Sequence, residues 1–274
     1  MRVISYNVNS LRVRLLHLSQ VIQKHQPDII GLQETKVSDD EFPIAAIQDL
    51  GYEVAYHGQK THYGVALLCK KPPVTVRKGF IHDDAGSQKR LIAMDLKLAD
   101  GGMLTVVNGY FPQGENRTHP QKFPSKVQFY ADLTRLLQTD HSPADQLLVM
   151  GDMNVAPTDL DVGIGPQNMK RWLKEGKCCF LPEEREMLAN LMDWGLTDTF
   201  RHHHPEINDL YSWFDYRSKG FDAEPKRGIR IDHILATAPM LEVCESAGID
   251  YDIRGLEKPS DHCPVWSDFN LALA

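Results

Sequence analysis

Apolar residues in this chain fall into runs of two kinds. The first are short continuous blocks that read as strands: "RVISY", "DIIGLQ", "YGVALLC", "LIAMDLKL", "MLTVVNGYF", "QLLVMGD", "IRIDHILA" and "PVWSDF", several of them bounded by Gly, Pro or Asp. The second kind recurs one helical turn apart. Leu11, Leu15, Leu18 and Ile22 do so before Pro27, and Phe129, Leu133, Leu136 and Leu137 repeat the spacing. In "LPEEREMLANLMDWG", Pro182 and three acidic residues suit a helix start, Leu188, Leu191 and Met192 a buried stripe, and Gly195 a stop. Strands stand both in adjacent hairpin-like pairs (63–80 and 91–110) and separated by helices. This interleaving predicts an α/β fold in which two mixed sheets pack on each other with helices outside, rather than one parallel doubly wound sheet. No G-x-G-x-x-G or P-loop is present, and no linker, repeat or composition break divides the chain. A single domain over residues 1–270 is expected.

What ends the strands is more informative than what fills them. "RVISYNVNS" ends in Asn7 and Asn9, "DIIGLQET" in Glu34, and "LLVMGDMN" in Asp152 and Asn154; residues two apart in a strand share a face. Near the C-terminus, "KPSDHCPVW" sets Asp261 beside His262 just before an apolar run. Adjacent residues entering a strand point to opposite faces, so these two are poorly placed to hold each other. His262 needs a carboxylate from elsewhere to fix its tautomer. Asp232, set among isoleucines, is costly to bury without a partner, and His262 is the natural one. Asp261 is then free for metal or water. Carboxylate and amide oxygens without thiolates suit a hard cation, Mg²⁺ or Mn²⁺. Asparagine amides, a histidine and tyrosine hydroxyls would clamp phosphoryl oxygens beside it. Together they describe metal-assisted phosphodiester hydrolysis.

Composition changes this picture little: 42% hydrophobic and 24% charged residues describe an ordinary globular chain. No run approaches a membrane span and "MRVISYNVNS" has no signal-peptide core, so a cytoplasmic location without a membrane partner is expected. Five cysteines without C-x-x-C spacing read as reduced thiols. "HHH" at 202–204 reads as a helix end or loop rather than a metal cluster. The net charge of −7 argues against a phosphate-backbone partner unless cations are segregated, as in the basic stretches 168–177 and 216–230.

The segments "LQETK", "NGYFPQGE", "GDMN", "SWFDYRSKGFD", "RGIRID" and "KPSDHCPV" resemble the signatures of the exonuclease III family of apurinic/apyrimidinic endonucleases, within the wider endonuclease/exonuclease/phosphatase superfamily. The resemblance runs from Arg2 to about Phe269. It implies a four-layered α/β sandwich, dependence on Mg²⁺ with Mn²⁺ as a substitute, and a monomer acting on double-stranded DNA. The implied reactions are cleavage 5′ to abasic sites, 3′-to-5′ exonuclease action and removal of 3′-blocking groups. By the same resemblance Glu34 is the main metal ligand, with Asn7 and Asp261 nearby and Asp152, Asn154 and His262 bordering the ion. Asp152 aligns or deprotonates water, Asn154, Tyr110 and His262 contact the scissile phosphate, and Asp232 stands behind His262. Trp213, Phe214 and Ile231 shape the sugar pocket, and Arg90, Lys122 and the basic loops at 170–177 and 217–230 meet the DNA backbone. "AEPK" before "RGIRID", and His233 after Asp232, depart from the family's usual pattern. Two rival readings share the core residues: a phosphoesterase for another substrate, such as an inositol phosphate or unselected DNA, and a non-catalytic binding module. Presence of Glu34, Asp152, Asn154, Asp232 and His262 together favours catalysis.

Overall fold

A computed structural model describes residues 1–274. Twelve strands run β1 (Arg2–Asn7), β2 (Ile29–Gln33), β3 (Glu53–His57), β4 (Val65–Cys69), β5 (Thr75–Lys78), β6 (Leu91–Lys97), β7 (Met103–Tyr110), β8 (Gln146–Asp152), β9 (Leu196–Asp198), β10 (Asp232–Thr237), β11 (Cys244–Ile249) and β12 (Val265–Phe269). Eight helices lie among them: α1 (Leu15–His25), α2 (Ile44–Gln48), α3 (Lys122–Asp140), α4 (Pro166–Glu175), α5 (Pro182–Asp193), α6 (Thr199–His203), α7 (Ala238–Leu241) and α8 (Tyr251–Arg254). The strands form two six-stranded sheets, ordered β11-β12-β1-β2-β4-β3 and β5-β6-β7-β8-β10-β9. Each sheet is antiparallel except at its centre, where β1 pairs with β2 and β7 with β8 in parallel. A parallel pair needs a crossover, and α1 and α3 supply the two.

Alternation along the strands builds the layers. Val3, Ile29, Leu67, Leu104, Met150 and Ile234 point between the sheets and form the shared core. Ile4, Tyr6 and Ile30 point the other way, against Leu18, Val21 and Ile22 of α1. Val107 and Val149 face outward from the second sheet onto Phe129, Leu133 and Leu137 of α3 and Leu188 of α5. Helix, sheet, sheet, helix is the order of layers, as the interleaved pattern predicts.

The same inward face changes character along its length. After Val3 come Ser5 and Asn7; after Ile29 come Gly31 and Gln33; after Val106 come Asn108 and Tyr110; after Met150 comes Asp152; and before Ile234 stands Asp232. Midway, Gln33 donates to Asn108 at 2.6 Å and to Ser5 at 3.0 Å, while Asn108 donates to the carbonyls of Leu32 and Ala66 at 3.0 and 2.9 Å. This fully buried layer stitches the sheets together where apolar packing gives way to chemistry.

Several expectations need correction. Residues 63–80 do not form a hairpin: β4 belongs to the first sheet and β5 to the second, so the chain crosses between them. The 91–110 pair is the antiparallel β6–β7 hairpin. Residues 170–177, read as a basic loop, lie mostly in α4, which is started by Pro166 and ended by Gly176 in a left-handed conformation. Asn9 and Asn154 lie beyond the ends of β1 and β8, with φ of 43° and 53°. All five cysteines are unpaired and buried, and the histidine triplet ends α6. No helix is long and apolar enough to cross a membrane.

Beneath β10, Arg230 is fully buried between two carboxylates, 2.7 Å from Asp161 and 2.7 Å from Asp198, with Arg201 also paired to Asp161. His233 joins this network, 3.0 Å from Arg230, and contacts the Val155 carbonyl at 2.8 Å. Its ring therefore faces away from Asp232, and its departure from the family pattern does not reach the cleft. The guanidinium charge outweighs burial and holds Asp161 and Asp198 below the usual carboxylate range. Arg230→Met would leave the buried Asp198 without its arginine and Asp161 with Arg201 alone, and should lower unfolding free energy by about 3–5 kcal/mol in urea titration at neutral pH. Because both carboxylates are depressed, the network's contribution is complete above about pH 4 and is lost as pH falls through their folded values. The penalty of the substitution should shrink over that same acid range. A loss below about 1 kcal/mol at neutral pH would contradict the assignment.

Candidate active site

Register brings two acids face to face. β8 and β10 pair so that Asp152 and Asp232 are direct partners, and the parallel β7–β8 register sets Tyr110 beside Asp152. Like charges directly opposite on one face repel. Gly151 lets β8 lie close to β7 beside the site: with φ of 145°, a Cβ there would lie 1.9 Å from the Gly109 carbonyl oxygen.

His262 completes the group from the segment before β12. Its Nδ1 lies 2.9 and 3.0 Å from the two Asp232 oxygens, and its Nε2 lies 3.8 Å from Asp152. Ligand-capable atoms of Asp152, Asp232 and His262 all fall within 4.8 Å of one another, and all three residues are buried. The histidine is fixed by its neighbours: Ser260 donates to the Asn7 carbonyl at 2.7 Å and accepts from the His262 amide at 3.2 Å. Ser212 likewise accepts from the amides of Ile231 and Asp232, at 3.0 Å each.

Electrostatics follow from this packing. Burial alone would lower the His262 pKa, but the charges of Asp232 and Asp152 outweigh it and hold the ring at about 10. Burial, together with repulsion from Asp232 and Glu34, pushes Asp152 well above the usual carboxylate range, against the opposing pull of His262 and Asn7. Asn7 donates to Asp152 at 2.9 Å, and the Asn154 amide donates to its other oxygen at 3.1 Å.

Glu34 and Asp261 stand apart from this trio. Glu34 accepts from the Tyr110 hydroxyl and pairs with Lys36 at 2.9 Å. Asp261 points away from His262, accepting from Asn9 at 2.8 Å and from Trp213 Nε1 at 3.0 Å. These bonds and the imidazolium outweigh burial and keep its carboxyl below the ordinary range. Lys36 also donates to Asn9 at 2.6 Å, so one chain of contacts runs from Glu34 to Asp261. Glu34 and Asn154 both have left-handed backbones, φ 51° and 53°, a cost accepted only where surroundings impose it.

One cleft of about 240 Å³ gathers Glu34, Tyr110, Asp152, Asn154, Trp213, Ile231, Asp261 and His262. A larger concavity of about 460 Å³, walled in part by Arg77, Ile81, Arg135 and His141, lies elsewhere and holds no converging trio of this kind. Of the residues named from sequence, Asn7 and Asp232 stand behind this lining, bonded to Asp152 and His262, and three more lie away from it. Phe214 is fully buried on the opposite side of its segment, packed with Tyr211 and Cys263, because consecutive extended residues point opposite ways. Arg90 is buried between the rings of Tyr63 and Tyr110, 4.2 and 4.6 Å from their centroids, and donates to the Tyr110 carbonyl at 2.9 Å. It braces Tyr110 instead of facing solvent. Lys122 is exposed at the start of α3 and pairs with Glu115. Conversely, Gln113, Trp172, Cys178 and Cys179 line the cleft and were not read from sequence. The Trp172 signal was an indole within an otherwise cationic stretch.

The sequence pattern of the Endonuclease/Exonuclease/phosphatase family matches residues 4–262. Over 269 residues the chain is 55% identical to the exodeoxyribonuclease III of Haemophilus influenzae, with 98% of this chain and 100% of that protein covered. Among solved structures, an AP endonuclease from Archaeoglobus fulgidus superposes with a TM-score of 0.89 at 34% identity, covering 98% of this chain and 99% of that one. The Neisseria 3′ phosphatase NExo, solved with a product DNA hairpin, gives 0.87 at 38% identity, again covering 98% and 99%. Fold, cleft and full-length similarity agree: the chain belongs to the endonuclease/exonuclease/phosphatase family, in its exonuclease III branch.

Proposed function

We propose that this enzyme is a metal-dependent DNA-repair nuclease that incises duplex DNA 5′ to abasic sites and also trims and unblocks 3′ ends. The observation that carries this reading is the buried Asp232–His262–Asp152 cluster at the floor of a cleft with Glu34 and Asp261 on its rim. Relatives described as an exodeoxyribonuclease, an AP endonuclease and a 3′ phosphatase support the same substrate class.

The donor set fits a hard divalent cation. Glu34, Asp261, Asp152 and Asn7 offer oxygens, and the two soft donors lining the cleft, Cys178 and Cys179, are kept protonated thiols because burial pushes their pKa up, that of Cys179 to about 12. Mg²⁺ is the ion we assign, with Mn²⁺ as a substitute, held by Glu34 with Asn7 and Asp261 beside it. When bound it supplies positive charge against the phosphoryl oxygens. Asp152, raised toward neutrality and aimed by Asn7 and Asn154, takes the proton of the attacking water. His262, kept cationic by Asp232, offers Nε2 to charge developing at phosphorus, and Tyr110 and Asn154 position the phosphate. Trp213 and Ile231 give the cleft an apolar wall that accepts a sugar without its base, which is cheaper to extrude from the duplex. We assign action as a monomer.

A duplex with one abasic site should be incised on its 5′ side in Mg²⁺ and left intact in excess chelator. Glu34→Ala should raise the Mg²⁺ needed for half-maximal rate by at least about tenfold, with partial rescue at high metal. Incision in chelator equal to that in Mg²⁺ would sink the metal assignment, and intact abasic duplex in Mg²⁺ would sink the substrate. His262→Asn should slow the single-turnover step by about 10²–10³-fold while changing duplex affinity by less than about threefold, because affinity is spread over many backbone contacts. Equal losses in rate and affinity would contradict the role given to His262.

A further inference from the structure

The loop that follows β8 is buried, and side chains rather than backbone hold its carbonyls. Four in succession, those of Met153, Asn154, Val155 and Ala156, meet no backbone amide. Each accepts instead from a side chain: the Tyr130 hydroxyl at 2.8 Å, Lys126 Nζ at 2.9 Å, His233 Nε2 at 2.8 Å and Arg185 Nε at 3.1 Å. A buried carbonyl without a donor costs free energy, so these four donors fix the path of the loop. Asn154, with its left-handed backbone, lines the cleft from within it. Its Nδ2 spends one proton on the Phe111 carbonyl at 3.0 Å and keeps the other for a phosphoryl oxygen.

Lys126, on α3, is fully buried, and an ammonium there has to spend each of its three protons. It spends them on three stretches around the cleft. Besides the Asn154 carbonyl it donates to the Gln113 carbonyl at 3.3 Å and to Glu184, itself fully buried. Burial alone would lower the amine's pKa, but Glu184 outweighs it and keeps the group charged. Glu184 turns its other oxygen to the Leu181 amide at 2.9 Å, which ties down the segment carrying Cys178 and Cys179. Gln113, Asn154, Cys178 and Cys179 all line the cleft, whereas Lys126 does not. Methionine would fill the same space without burying two charges, so packing alone does not ask for a lysine here.

We propose that Lys126 is a positioning residue for phosphodiester hydrolysis: its ammonium fixes the Asn154 and Gln113 carbonyls and so holds the Asn154 side chain ready for the phosphate. The assignment rests on the nuclease reading above, in which Asn154 meets the phosphate, and extends it. Its consequence is preorganisation, because an amide already aimed needs no rearrangement as charge develops at phosphorus.

The test uses the full-length protein and a duplex with one abasic site. Lys126→Met alone would leave Glu184 buried and unpaired, so the variant measured is Lys126→Met/Glu184→Gln, which removes both charges and keeps an acceptor for the Leu181 amide. Its fold is checked by thermal melt. Single-turnover incision in Mg²⁺ should fall about 10²-fold, while duplex affinity in chelator changes by less than about threefold. In an Asn154→Ala background the same pair of changes should cost less than about threefold, because Lys126 acts through Asn154. A wild-type rate in the charge-free variant would show that Lys126 only answers Glu184 and would overturn the assignment. Equal losses in rate and affinity, or losses that multiply with Asn154→Ala, would overturn it too. A measurement on wild type does not depend on any variant folding: nitrogen-15 spectra at neutral pH should show the Lys126 ammonium with three protons in slow exchange with water. A neutral or freely exchanging amine would contradict the proposal. Wild type that leaves the abasic duplex intact in Mg²⁺ would instead overturn the nuclease reading, so the two failures are distinct.

Discussion

The architecture of this enzyme turns on one enforced repulsion. The β8–β10 register sets Asp152 directly opposite Asp232 in a buried site, where two carboxylates cannot both be charged without a cation between them. His262 is that cation. It arrives from a segment 30 residues after Asp232, tied to β1 through Ser260. The first sheet therefore supplies the charge that the second sheet requires, and the site exists only when the two are packed together. The buried layer of Gln33, Ser5 and Asn108 serves the same end, joining the sheets just below the cleft.

Much of this was legible in the sequence because strand periodicity is rigid. Inward-facing positions alternate, so Asn7, Asp152, Asp232 and Tyr110 had to meet at one end of the sandwich once the sheets were packed apolar face to apolar face. Asp232 was conspicuous as an acid among isoleucines. Strands that lack alternation or burial were not visible: β3 has no fully buried residue, β9 has three residues, and β11 carries Glu245 and Gly248. Side chains placed by irregular backbone escaped too. Phe214 follows Trp213 in sequence yet faces the other way, and Arg90 was read as a DNA contact because nothing local shows Tyr63 and Tyr110 closing over it.

Charge was the most misleading bulk property. The net value of −7 suggested avoidance of a polyanion, yet Asp152, Asp161, Glu184, Asp198 and Asp232 are all buried, where Lys126, Arg230 and His262 answer them. What a partner meets is the exposed surface, and there Arg171 and Arg227 line a groove that shares Trp172 and Trp213 with the cleft.

If the enforced repulsion governs the site, His262 must be an imidazolium in the resting, metal-free protein. Nitrogen-15 chemical shifts of its ring, recorded at about pH 8 where a free histidine is neutral, test this directly. The account predicts protons on both ring nitrogens in wild type and a neutral ring in the Asp232→Asn variant. A neutral His262 in the wild-type protein at that pH would contradict it.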